Sequence, residues 1–219
     1  MTRVKICGIR EEAHALAAAK AGADFIGLVF ASSPRQVTPA QAEKIATAVK
    51  QSGYATEVVG LFVNITATVV NKTADFCHLD WVQLSGDESW EYCREINHPI
   101  IRVVHVSRRH TTDKICALLA QGSRMLGTNK LIYLLDSRVR GKYGGTGVPF
   151  HWDLARPAAA QFPVIIAGGL TPENVAQAIK IASPWGVDVS SGVEVDEVKH
   201  VATIRAFIKA VRRADDDQR

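Results

Sequence analysis

Short apolar runs alternate with amphipathic segments along almost the whole chain. Eight runs have the length of a strand and the near-continuous hydrophobicity of strands that are buried on both faces of a parallel sheet. They predict strands at residues 3–7, 24–30, 56–63, 81–84, 100–106, 131–135, 164–167 and 187–189. Helical periodicity between them predicts helices at 11–21, 66–76, 88–96 and 111–120, and three more that open at Pro39, Thr171 and about Val201.

Eight strand–helix units joined by short connections predict an α/β fold, a (β/α)8 barrel of the TIM type with a closed, parallel, eight-stranded sheet. No change in composition divides the chain, so residues 1–219 are expected to form one domain with a short polar tail from about 214. An open, doubly wound sheet is the alternative architecture.

The sixth unit is the least regular part of the pattern. Residues 137–149 are long for a connection and contain Gly141, Gly144, Gly145 and Gly147, and the helix after them is weak. A loop of this length inside a tight domain is usually functional.

Composition and charge exclude several classes of protein. Of the 219 residues 47% are apolar and 22% charged, which describes an ordinary globular protein. No apolar run reaches the roughly 18 residues of a membrane span, and no signal-peptide pattern precedes the first strand, so a cytoplasmic location without membrane contact is expected. The net charge of +4 comes from scattered residues, and without a basic stripe or recognition module we expect no nucleic-acid partner.

Four cysteines are widely spaced and include no C-x-x-C pair. This argues against a zinc site and a disulfide framework, and for reduced thiols. Cys77, Cys93 and Cys116 lie in or beside helical patterns and are expected in the core. Cys7 differs because it ends the first strand.

In a barrel of this kind, the residues at the carboxyl ends of the strands and in the following loops face the active site. These positions hold Cys7, Phe30, Val63, Asn64, Leu84, Ser85, His105, Asp136, Gly168, Gly169, Ser190, Ser191 and Gly192. Among them Cys7 and Asp136 form a candidate base and acid. Positive potential from Lys5, Arg35 or nearby amides would favour a thiolate, and partial burial would raise the carboxyl pKa toward neutrality. A small buried cysteine and a loop-capping aspartate are the structural alternative.

Two loops have the pattern of a phosphate site. Gly168 and Gly169 precede a predicted helix N-terminus, and Ser190–Gly192 follow the eighth strand, where glycines let backbone amides approach an anion. The alternative is that these glycines only form tight turns. No Walker lysine motif or dinucleotide fingerprint occurs, so ATP and NAD are not expected. His105 and Asp136 provide two metal ligands where catalytic zinc usually needs three, so no catalytic metal is expected.

An ordered set of motifs resembles one known family over nearly the whole chain. The motifs cover residues 5–8, 27–30, 33–35, 82–84, 134–137, 144–147, 167–175 and 186–194. Together they resemble the phosphoribosylanthranilate isomerases, (β/α)8-barrel enzymes of tryptophan biosynthesis.

The resemblance implies the Amadori rearrangement of N-(5'-phosphoribosyl)anthranilate to 1-(2-carboxyphenylamino)-1-deoxyribulose 5-phosphate, without cofactor or metal. Asp136 would be the general acid and Cys7 the general base. The implied substrate-binding residues are Arg35 at the anthranilate end, Gln83, Gly144 and Gly145, and the implied phosphate-binding residues are Gly168, Gly169, Ser190, Ser191 and Gly192. The expected partner is a small anionic phosphosugar, and the expected state is a monomer or homodimer.

Two departures from the family pattern stand out. Ser85-Gly86 occupies the place of the usual His-Gly, which implies an altered contact, and Glu197–His200 occupies that of Gly-x-Lys-Asp, which affects a turn and the cap of the last helix.

Three alternative functions remain from the sequence. Indole-glycerol-phosphate synthase would need catalytic lysines and a glutamate at strand ends, and the two-substrate isomerase of the histidine pathway would need an aspartate where Cys7 stands. The third is a non-catalytic barrel that binds a phosphorylated ligand or a protein partner.

Overall fold

The computed structural model describes residues 1–107, 110–127, 130–137 and 151–217. Eight parallel strands, β1 to β8, pair in chain order, and β8 pairs with β1 to close a barrel. The strands are Arg3–Cys7, Phe25–Val29, Glu57–Phe62, Trp81–Leu84, Ile100–Val106, Leu131–Ser137, Val164–Ile166 and Gly186–Val189. The predicted (β/α)8 barrel is confirmed, and the open sheet is excluded.

Helices α1 to α8 follow the strands in alternation. They are Glu12–Ala21, Pro39–Gln51, Ala67–Phe76, Trp90–Cys93, Thr112–Leu126, Arg156–Ala159, Val175–Ala182 and Val201–Asp216, with a 3-10 turn at Trp152–Ala155 before α6. α2 begins with a complete capping box, in which Thr38 accepts from the Gln41 amide and Gln41 reaches back.

Two predicted helix lengths are wrong. α4 is a single turn rather than 88–96, because after Cys93 the chain continues in tighter i to i+3 bonds, from Arg94 to Glu91 and from Glu95 to Tyr92. α5 continues past the predicted end at residue 120 to Leu126 and stops before Gly127, which has a φ of 75°.

The core has two layers because side chains of a strand alternate between faces. One apolar layer lies between the strands and the helices and includes Ile45 and Val49 of α2. The other fills the barrel and consists of Phe25, Val59, Ile101, Val103, Ile132, Leu134, Ile165 and Ala167. Toward the carboxyl end the interior becomes polar and contains Lys5, Gln83, Asp136 and Asp188, all buried.

The sequence pattern did not predict a two-stranded hairpin after β8. Glu194–Val195 pairs antiparallel with Val198–Lys199, and the turn between them places Asp196 at φ 49° and Glu197 at φ 61°. Both torsions lie in the left-handed region that favours glycine. The departure noted at Glu197 therefore falls on a strained position.

Replacing Glu197 by glycine is expected to stabilise the protein by about 1 kcal/mol, because glycine adopts this torsion without a Cβ penalty. Urea unfolding of wild type and variant measures the change. Glu43→Gly in α2 is the matched control, and glycine at that helical position is expected to cost about 1 kcal/mol. A loss of stability in Glu197→Gly would contradict a strained turn.

In the described ranges, no helix is both long enough and apolar enough to cross a bilayer. All four cysteines are free thiols: Cys7, Cys77 and Cys93 are buried, and Cys116 is partly exposed.

Candidate active site

Cys7 is the last residue of β1 and is buried at the polar end of the barrel. Lys5 lies two positions earlier and therefore faces the same side. Gly27 of β2 pairs with Cys7, and a Cβ built on it would lie 2.8 Å from Cys7 Sγ and 3.1 Å from Lys5 Nζ. The thiol and the ammonium group thus border the same small space, which a glycine keeps open.

Lys5 connects the thiol to a carboxylate on the neighbouring strand β8. Its Nζ donates to Oδ1 of Asp188 at 2.9 Å, and the lysine is buried. Burial alone would lower the pKa of Lys5, but Asp188 and Cys7 outweigh it, so the net pKa is raised. This ammonium group is the nearest source of the positive potential expected beside Cys7.

Burial is the largest influence on Cys7 itself. It raises the pKa of the thiol above its ordinary value, although Lys5 and Lys199 act in the opposite direction. In the unliganded chain the two ammonium groups therefore moderate the cost of a thiolate without removing it.

Asp136 lies near the end of β6, opposite His105 of β5 in the strand register. Burial, and next the charge of Asp188, raises the pKa of Asp136 to about 7. Within the described part of the chain its buried Oδ1 has no hydrogen-bond partner. A buried carboxyl that holds a proton near neutrality and has an unused oxygen is suited to donate to a ligand.

Gln83, Ser85 and His105 form the polar edge of β4 and β5. Gln83 Nε2 donates to Ser85 Oγ at 3.2 Å, and His105 Nε2 lies 2.9 Å from the Ser85 carbonyl oxygen. Oε1 of Gln83 is buried and has no hydrogen-bond partner among the described residues. Ser85, which stands where the family usually has histidine, thus helps to orient Gln83.

The loops after β7 and β8 pack directly on each other and on the other site residues. A Cβ on Gly192 would collide with the carbonyl oxygen of Leu170, and a Cβ on Gly168 would lie 2.7 Å from Oδ1 of Asp136. Gly8 is equally close to the second loop, since its Cβ would lie 3.1 Å from Ser190 Oγ. Ser191 and Gly192 form a short 3-10 turn with Val193. The predicted phosphate-binding residues therefore lie on the part of the rim between β6, which bears Asp136, and β1, which bears Cys7.

The helix after Gly169 was predicted to begin at Thr171, and this prediction is wrong by four residues. α7 begins at Val175, because Asn174 accepts from the Thr171 amide and donates to the Gly169 carbonyl, closing a turn before the helix. Gly168 and Gly169 have φ of 90° and 67°, so this loop depends on glycine.

Arg35 lies in the loop after β2, and its aliphatic part lies across Gly8, next to Cys7. Its Nε and Nη2 donate to the two oxygens of Glu194 at 2.7 and 2.6 Å. Lys199 also pairs with Glu194 and donates to the Ser190 carbonyl oxygen at 3.0 Å. The predicted substrate-binding arginine is thus held by a carboxylate that the sequence reasoning did not consider.

Gly144 and Gly145, predicted to bind substrate, lie outside the described residues. Among the residues that the structure describes, no three His, Cys, Asp or Glu side chains are grouped so that they could hold a metal ion.

A comparison with protein-family models now identifies the family. Residues 4–210 match the model described as N-(5'phosphoribosyl)anthranilate (PRA) isomerase. The chain belongs to this isomerase family.

Individual relatives agree with this assignment. An N-(5'-phosphoribosyl)anthranilate isomerase of Dehalococcoides mccartyi is 45% identical over 215 residues, which cover 98% of each protein. Monomers generated from the dimeric isomerase of Thermotoga maritima superpose with a TM-score of 0.80 at 33% identity, over 97% of this chain and 100% of the other. A family structure in complex with reduced 1-(o-carboxyphenylamino)-1-deoxyribulose 5-phosphate gives a TM-score of 0.80 at 34% identity, with the same coverage.

Membership confirms the resemblance and the enzyme class that it implied, an isomerase of tryptophan biosynthesis. The sequence reasoning missed Asp188, Glu194 and Lys199 as site residues of this isomerase and treated Lys5 only as a source of charge. The sequence contained a usable signal for Lys5 and Asp188. Lys5 precedes Cys7 by two positions and Asp188 precedes Ser190 by two, so each is predicted to face the same side as a residue already assigned to the site.

Proposed function

We propose that this chain catalyses the Amadori rearrangement of N-(5'-phosphoribosyl)anthranilate with Asp136 as general acid and Cys7 as general base. The observation that supports these roles most strongly is the raised pKa of the buried Asp136, together with its unused oxygen beside the two glycine loops. An acid of this kind can be protonated at neutral pH and still donate effectively.

The substrate is placed by its two anionic ends. Its phosphate lies against Gly168, Gly169, Ser190, Ser191 and Gly192, where the loops after β7 and β8 meet. Its anthranilate carboxylate pairs with Arg35, whose planar guanidinium suits a carboxylate. The sugar carbons that react then lie between Asp136 and Cys7.

Asp136 protonates the ribose ring oxygen, the bond from that oxygen to carbon 1 breaks, and the anthranilate nitrogen forms a Schiff base with carbon 1. Cys7 as thiolate removes the proton from carbon 2, which gives an enolamine. The enolamine tautomerises to the ketone by gaining a proton at carbon 1 and losing the proton of the carbon 2 hydroxyl. Oxidation of carbon 2 balances reduction of carbon 1, so no external electron carrier is required.

This scheme requires Asp136 to be protonated and Cys7 to be a negatively charged thiolate. The pKa of Asp136 is about 7 and that of Cys7 is raised above its ordinary value of 9.0, so at neutral pH Asp136 is about half protonated and Cys7 is mostly a thiol. The reactive arrangement therefore needs Cys7 to lose its proton while Asp136 keeps its own. Lys5 favours it, because Lys5 acts on Cys7 through a hydrogen bond as well as through its charge but on Asp136 through its charge alone. Asp188, the partner of Lys5, raises the pKa of both groups, which favours the protonated acid and opposes the thiolate.

The family's role in tryptophan biosynthesis supports a cytoplasmic location for this chain. Both a dimeric isomerase and monomers generated from it occur among the structural relatives, which supports either a monomer or a homodimer here.

The direct test is an assay with substrate generated in place, in which fluorescence follows the loss of N-(5'-phosphoribosyl)anthranilate. Catalysed loss with formation of the ribulose phosphate product is expected from the wild type. Chromatography separates this product from anthranilate, which hydrolysis of the substrate would release. Loss no faster than without protein would contradict the proposed function.

A further inference from the structure

Arg35, Glu194 and Lys199 form a nearly buried charge cluster that joins the two ends of the substrate site. The exposed fractions of the Arg35 and Glu194 side chains are 18% and 5%, and that of Lys199 is 3%. Arg35 belongs to the loop after β2, whereas Glu194 and Lys199 belong to the hairpin after β8. The cluster therefore fixes a loop on one side of Cys7 to an element on the other.

The geometry of the pair determines which part of Arg35 remains available. Glu194 accepts from Nε and Nη2, which is the side-on arrangement of an arginine–carboxylate pair. The pair uses the N–H of Nε and one N–H of Nη2. The other N–H of Nη2 and those of Nη1, which form the Nη1–Nη2 edge of the planar guanidinium, are not part of the pair. A guanidinium has five N–H donors, so a second carboxylate can be bound end-on.

The charge of the cluster also favours a second carboxylate. Lys199 Nζ donates to three acceptors, which are the Glu194 carboxylate, the Ser190 carbonyl oxygen and the Ser190 hydroxyl oxygen. Three acceptors match the three N–H donors of an ammonium group. Despite its burial, Glu194 has a lowered pKa because Arg35 and Lys199 hydrogen-bond to it. Burial lowers the pKa of Lys199, while its hydrogen bond to Glu194 and the charge of that carboxylate favour the ammonium form. With Lys199 protonated, two positive groups and one negative group have a net charge of +1.

Local packing fixes the direction in which Arg35 points. Its Cδ lies across Gly8, where a Cβ would come within 2.5 Å of it. Arg10 donates to the carbonyl oxygens of Pro34 at 2.9 Å and Glu197 at 3.3 Å, and so ties the same loop to the same hairpin. The guanidinium is consequently held beside Cys7 before any ligand arrives.

We propose that Glu194 is the positioning residue for recognition of the substrate's aromatic carboxylate. It holds Arg35 side-on, so that the Nη1–Nη2 edge meets the carboxylate, and Lys199 supplies the charge that keeps the cluster positive. This inference rests on the proposed function, since it concerns the same substrate. The opposite possibility, that Glu194 competes with the substrate for Arg35, predicts effects of opposite sign.

The test compares two ligands that differ only in the carboxylate. The first is reduced 1-(o-carboxyphenylamino)-1-deoxyribulose 5-phosphate, and the second has a phenyl ring in place of the carboxyphenyl ring. Calorimetry gives the dissociation constant of each for wild type, Glu194→Gln, Arg35→Ala and the double variant. The ratio of the two constants reports recognition of the carboxylate and is insensitive to changes in phosphate binding.

Glu194→Gln is expected to weaken binding of the carboxylated ligand about tenfold and to change binding of the phenyl ligand less than about twofold. Arg35→Ala is expected to abolish the preference, and adding Glu194→Gln to it should cause no further loss, because the two residues act as one unit. In turnover, Glu194→Gln should raise KM more than it lowers kcat.

The matched control removes an equivalent pair elsewhere on the rim. Glu88 is 2% exposed and accepts from Arg102 at 3.2 Å, so Glu88→Gln also disrupts a buried Glu–Arg pair. It is expected to leave the ratio of the two dissociation constants unchanged.

Tighter binding of the carboxylated ligand by Glu194→Gln would overturn the inference in favour of competition. Equal weakening of both ligands would overturn it in favour of a purely structural role. If the wild type turns over the substrate but does not prefer the carboxylated ligand, the inference fails and the proposed function stands. Absence of wild-type turnover would refute the function itself.

Discussion

Replacement of Asp136 by asparagine is expected to lower kcat/KM by about 10²–10⁴-fold, the usual contribution of a well-placed general acid. The amide has nearly the shape of the carboxyl group but cannot protonate the ring oxygen. The fluorescence assay measures the loss. Asp216→Asn, at an exposed position in the last turn of α8, is the control and should retain wild-type activity.

The same substitution is expected to change how stability depends on pH. The native Asp136 carboxyl has a pKa of about 7, and its ordinary value is 3.8. Between these values the unfolded chain has lost the proton and the native chain keeps it, so stability falls as pH rises through this window. The pKa difference corresponds to about 4 kcal/mol of stability. This stability is fully present below the ordinary pKa of 3.8 and is lost as the pH rises to about 7.

Asparagine does not titrate, so this loss disappears in the variant. The free energy of unfolding of Asp136→Asn relative to wild type should therefore increase by up to about 4 kcal/mol between about pH 4 and pH 8. Urea unfolding at both pH values measures the increase. If the relative stability is the same at both, Asp136 ionises normally, and its proposed role as an acid at neutral pH loses its support.

Replacement of Cys7 by serine is expected to lower kcat by about 10²–10⁴-fold, because a hydroxyl does not ionise readily enough to take the carbon 2 proton. The side chains have similar shape, so the glycine-bordered space beside Lys5 stays open. Binding of the reduced product analogue should consequently remain within about threefold of wild type, since Cys7 belongs to neither anion-binding end. Stopped-flow turnover and calorimetry separate the two effects.

The control for this variant is Cys116→Ser, because Cys116 lies partly exposed on α5, outside the set of residues assigned to the site. It should leave kcat unchanged. Loss of analogue binding together with loss of kcat in Cys7→Ser would indicate a structural thiol. Retention of kcat would assign the base to another residue.

The strands could be predicted well because a buried parallel strand has a local signature, a short apolar run bounded by turn residues. β4 and β5 match their predicted limits, and Cys7 and Asp136 lie at the carboxyl ends of β1 and β6, as the strand pattern predicted. Helix ends were less predictable. The start of α7 depends on hydrogen bonds of the Asn174 side chain to Gly169 and Thr171. These bonds compete with helical backbone hydrogen bonds and do not change the hydrophobic periodicity of the sequence.

The ionisation of the site was only partly predictable. A raised pKa of Asp136 was expected from its place at the barrel mouth, and the structure gives its causes as burial and the charge of Asp188. For Cys7 the expected positive potential exists, but burial has the larger effect on its pKa. Burial depends on how completely the strands enclose a side chain, which the neighbouring residues in sequence do not specify.

By itself, the sequence determined the order of the strands and helices, the strand ends at which Cys7 and Asp136 lie, and the family. These follow from local periodicity, strand ends and an ordered set of motifs. The tertiary structure alone decided which charges meet. Lys5 pairs with Asp188 across 183 positions and Arg35 with Glu194 across 159, so that closure of β8 onto β1 sets both pairs. A contact over such a separation depends on the path of the whole chain, and no local pattern encodes it.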